Sequence, residues 1–106
     1  MTPNLNARLS AATALVQLLQ EHPELPDAGW SIGSVFAELR GFVHADSLSA
    51  LDAYQAVLGG DVHAENCYEH LGRTLRRYVL GAVWRDVRVE VVVALPVTAE
   101  AVQVAA

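Results

Sequence analysis

Val87-Arg88-Val89-Glu90-Val91-Val92-Val93-Ala94-Leu95 places an aliphatic residue at every odd position, with Arg88 and Glu90 between the first three. Successive side chains of an extended chain point to opposite faces, so this alternation predicts a half-buried antiparallel strand. Pro96 ends it. Leu75–Trp84 upstream is the natural hairpin partner, with Arg85-Asp86 as the turn. An apolar run this short, broken by two charges, is far below the roughly 20 residues a helix needs to span a bilayer.

The N-terminal half repeats the theme with a helix in front. Thr2-Pro3 reads as an N-cap followed by proline in the first turn. Leu5, Leu9, Ala12, Val16 and Leu19 recur at spacings of four, three, four and three, with Leu15 and Leu18 widening the stripe. This is one apolar helical face, expected to pack on the core. Pro23 stops the helix near Glu21-His22. Trp30-Ser31-Ile32, Gly33-Ser34 and Val35–Val43 read as a hairpin with a two-residue turn, Ile32 opposite Val35. Trp30, Ala37, Leu39 and Val43 then share one face, and Phe36, Glu38, Arg40 and Phe42 the other. A second helix starts at Asp46 or Ser47, carries Leu48, Leu51, Tyr54 and Leu58 on one side, and ends at Gly59-Gly60.

The expected fold is therefore α+β in αββαββ order. Two hairpins form a four-stranded, mainly antiparallel sheet with both helices on one face. Residues 1–96 form one domain, and 97–106 a flexible C-terminal tail. In this element order, in the Trp30-Ser31-Ile32 strand and in the Val87–Val93 alternation, the chain resembles a loose class of small helix–hairpin–helix–hairpin proteins of actinobacteria. That resemblance covers residues 4–95. The class carries no established activity, so it implies no functional residues.

Composition narrows the functional classes. The 106 residues are 53% hydrophobic and 18% charged, with a net charge of −5, and all seven basic residues are arginine. Residues 1–72 hold nine acids against Arg8 and Arg40, a balance of −7; residues 73–106 hold five arginines against three acids, a balance of +2. An acidic whole argues against general nucleic-acid binding. Cys67 is the single cysteine, so no internal disulfide forms. The N-terminus lacks a basic segment followed by an apolar one, which predicts a cytoplasmic protein with no membrane partner.

Three surfaces carry chemistry worth placing. His63, Cys67 and His70 would share a helix face at i, i+4 and i+7 and are metal-ligating types. They lack a fourth ligand and zinc-finger spacing, so a polar loop or short helix with no metal and no cofactor is the expectation. Arg73, Arg76, Arg77, Arg85 and Arg88 would grip phosphates if they converged. Phe36, Phe42 and Val92, with Val79, Val83 and Ala94, lie on the sheet face turned away from the helices. They make that face a candidate interface for a homo-oligomer or a protein partner. Without a catalytic set, the leading expectation is a non-enzymatic interaction domain.

Overall fold

The computed structural model describes residues 3–33 and 35–97. Its elements are α1 (Pro3–Glu21), β1 (Ala28–Ile32), β2 (Glu38–Val43), α2 (Ser49–Leu58), β3 (Asp61–His70), β4 (Arg73–Trp84) and β5 (Val87–Pro96). Thr2, Ser34 and the tail from Thr98 onward fall outside the described residues. The class is α+β as expected, but the order is αββαβββ, and the sheet has five strands rather than four, in the order β1-β2-β5-β4-β3.

The expected second hairpin is present. Trp84 pairs with Val87 and Leu75 with Pro96. Arg85 and Asp86 both take positive φ, 53° and 65°. That is the two-residue turn whose twist matches the strands it joins. Val87, Val89, Val91 and Val93 are buried in the core with Leu39, Leu80, Leu51 and Tyr54. Val92 is buried on the other face. A strand apolar on both faces belongs in the middle of a sheet, and β5 sits there. It runs antiparallel to β4 and parallel to β2. The parallel contact needs a long crossover, supplied by α2, β3 and β4.

The extra strand corrects the reading of residues 61–70. They are neither loop nor helix but the edge strand β3, antiparallel to β4 and turned through Leu71-Gly72, whose φ values are 52° and 76°. Nearly every β3 residue is exposed, and a bulge between Ala64 and Cys67 shifts its register. No buried face imposes alternation on such a strand.

The first hairpin differs in register. Ile32 pairs with Leu39 and Trp30 with Gly41. Residues 33–37 form the connection, closed by Gly33 N–H donating to the Glu38 carbonyl at 2.9 Å. A Cβ on Gly41 would lie 2.8 Å from the Trp30 ring. The glycine thus makes room for the indole, which meets Tyr54 edge-on at 6.1 Å between centroids.

Helix α1 ends where Pro23 requires, but its buried side is not the predicted one. Ala11, Ala14 and Leu18 enter the core, whereas Leu9, Val16 and Leu19 are 66%, 53% and 52% exposed. Small alanines let the helix lie close to the sheet, and the bulkier stripe points away. Helix α2 follows expectation more closely: Leu51, Tyr54 and Leu58 are buried, while Leu48 stays largely exposed. Gly60 is needed beyond helix termination, because its φ is +83° and a Cβ there would lie 2.2 Å from the Gly81 carbonyl oxygen.

Candidate interaction surface

Both helices contribute to one core on one side of the sheet. The other side is uncovered, and strand register arranges it in rows. Phe42, Val92, Val79 and His63 lie directly across from one another on β2, β5, β4 and β3. Arg40, Glu90, Gly81 and Asp61 make the adjacent row, and Glu38, Arg88 and Val83 the next. In the middle row Arg40 donates from Nε and Nη2 to one Glu90 oxygen, at 3.1 and 2.7 Å. The pairing raises the Arg40 pKa, first through that hydrogen bond and then through the carboxylate's charge.

The apolar members differ in role. Val79 and Val92 are buried by their neighbours and form a floor, while Phe42 is 41% and Val83 70% exposed. Phe36 lies in the 33–37 connection rather than on a strand, and it is also exposed. With Glu38, Val83 and Arg88 it lines a shallow hollow at one end of the face. Of the candidate interface residues, Phe42 alone is both strand-borne and substantially exposed.

The five C-terminal arginines do not converge. Arg76 stands across from Cys67 on the helix side of the sheet, its Nε buried and without a partner. Arg85 turns back onto α1, stacked 4.2 Å from the Trp84 ring centroid. Arg77 lies 5.3 Å over the Tyr68 ring. Arg77 and Arg88 both belong to the open face, but Arg77 is registered with Ala94. That is six residues along β5 from Arg88, or about 20 Å at strand rise. Arg73 follows the β3–β4 turn.

His63, Cys67 and His70 are separated for the same geometric reason. On a strand His63 and His70 stand about 23 Å apart, and Cys67 opposes Arg76 while His63 opposes Val79. Among the described residues no group of three histidine, cysteine or acidic side chains is placed to hold a metal ion. Among them, too, no helix is long and apolar enough to cross a membrane. Comparison with protein families, curated proteins and solved structures finds no match to this chain.

Proposed function

We propose that this is a non-enzymatic interaction domain that joins a second copy of itself through the open sheet face. The observation that carries the reading is a sheet covered by helices on one side only, with Phe42 exposed beside a buried Val92–Val79 floor. Aromatic residues on such a floor concentrate interface energy. The charges there do not oppose burial as isolated ions would. Arg40 and Glu90 already satisfy each other, so covering them strands neither.

Sedimentation tests this. The wild type is expected to show a concentration-dependent dimer, and Phe42→Glu a monomer with an unchanged circular dichroism spectrum. A wild type that stays monomeric at about a hundred micromolar, above the range expected of a standard-size interface, overturns self-association through this face.

A further inference from the structure

Helix α1 is apolar on two sides and charged almost nowhere. Among its 19 residues only Arg8 and Glu21 are charged. At about 100° per residue, Ala11, Ala14 and Leu18 mark the buried side. Leu9, Ala12, Val16 and Leu19 form a second stripe most of the way round the helix from them. Leu9, Val16 and Leu19 are each more than half exposed, and Ala12 is partly so. A helix bound by solvent on its outer side ordinarily carries charge there. This one carries the alternating three–four spacing of a coiled-coil seam.

We propose that this stripe is a second self-association surface, in which α1 packs antiparallel against α1 of another copy with Ala12 at the crossing point. The small side chain at the centre allows close approach of the two backbones. In that arrangement Leu9 of each copy faces Val16 of the other. The direction follows from the charges. An antiparallel pair sets each Arg8 within about one turn of the other helix's C-terminal end, where the dipole is negative and Glu21 sits. A parallel pair sets Arg8 against Arg8 and Glu21 against Glu21. The seam from Leu9 to Leu19 is only about 15 Å long, so the contact alone is weaker than a standard interface of roughly 800 Å² per partner. It lies on the opposite side of the sheet from Phe42 and does not depend on the sheet-face reading.

Cysteine cross-linking tests the geometry. In a Cys67→Ser background, Ala12→Cys places the new thiols of two copies near the two-fold axis, within the roughly 7 Å Cα separation a disulfide needs. Leu19→Cys places them about 20 Å apart along an antiparallel seam. Mild oxidation is expected to give disulfide dimers with Ala12→Cys and not with Leu19→Cys. Adding Val16→Glu removes the Ala12→Cys dimer, with the helical circular dichroism signal retained. Adding Phe42→Glu leaves it, even where Phe42→Glu alters sedimentation. Absence of the Ala12→Cys dimer, equal cross-linking at both positions, or loss of the dimer on Phe42→Glu each overturns the proposal. If Ala12→Cys fails to fold, sedimentation of Val16→Glu in the Phe42→Glu background decides instead. A mass equal to that of Phe42→Glu alone at every concentration overturns the seam, and a further loss of mass supports it.

Discussion

Arg85, at the apex of the β4–β5 turn, donates from both terminal nitrogens to the two carboxylate oxygens of Glu21, the last residue of α1, at 2.7 and 2.6 Å. It also donates to Gln17 at 2.7 Å. The fork geometry is the one in which guanidinium and carboxylate fit best. It fastens the C-terminal turn of the helix to the far end of the sheet.

That contact makes acid stability depend on Arg85. The hydrogen bond to Arg85 is the main cause holding the Glu21 carboxyl below its ordinary value of 4.5. A depressed carboxyl contributes stability that is fully present above the ordinary value and is lost as pH falls through the lowered one. Arg85→Ala is therefore expected to lower the melting temperature at neutral pH. The gap from wild type should close as pH is taken below the ordinary carboxylate range. Thermal melts of both proteins from neutral pH downward check this. A gap that is constant with pH would show that Arg85 acts through its stack on Trp84.

Gly41→Ala is expected to destabilise the fold by about 1–3 kcal/mol, the usual cost of forcing atoms into a packed site. The new methyl meets the Trp30 ring at 2.8 Å, and the ring is itself lodged against Tyr54. Urea unfolding followed by tryptophan fluorescence measures the loss, and the native emission should shift as the indole moves. An unchanged midpoint would mean that Trp30 turns aside freely.

Leu71→Asn is expected to stabilise by about 0.5–1 kcal/mol, because leucine pays a steric cost at positive φ that asparagine largely avoids. Leu71 has φ of 52° and is 88% exposed, so little packing is given up. The denaturant midpoint should rise with no change in slope.

Binding to DNA is expected to be weak and to vanish at physiological salt, since few phosphates are neutralised at once by arginines spread over both faces. Titration at low and physiological ionic strength reads this directly. Submicromolar affinity at physiological salt, lost on Arg73→Ala with Arg77→Ala, would reassign the open face.

Where a strand has one buried face, the sequence displays it. Val87 to Val93 alternate because the core demands it, and Arg85-Asp86 interrupts two such strands at the turn. The bounds of α1 were legible from Pro3 and Pro23. Its orientation was not, because hydrophobic period reports an apolar face without saying whether sheet or solvent meets it. The Leu9–Val16 stripe is the more hydrophobic side, yet Ala11 and Ala14 are the ones small enough to fit against β2 and β5. Strand β3 was hidden for the opposite reason: with both faces exposed, Asp61–His70 carries no period at all, and its bulge disrupts what pairing signal exists. The parallel β2–β5 contact is non-local, and nothing in either segment alone encodes direction. On the candidate surface, Phe42 was legible from its place in β2, whereas the Arg40–Glu90 pair depended on that parallel register. Phe36 was misplaced because the first hairpin's connection runs from 33 to 37 instead of turning at Gly33-Ser34.

The position of β5 bears on how the protein is made. It is the fifth strand in chain order and the third across the sheet, bonded to β2 on one side and β4 on the other. Until it leaves the ribosome, β1–β2 and β3–β4 are two separate hairpins, and an isolated hairpin is marginally stable in water at best. Domains usually fold as units during synthesis, and here the unit is incomplete until its central strand has emerged. A nascent chain halted at Trp84 holds both helix sequences and four of the five strands, but lacks the strand that would make them a sheet.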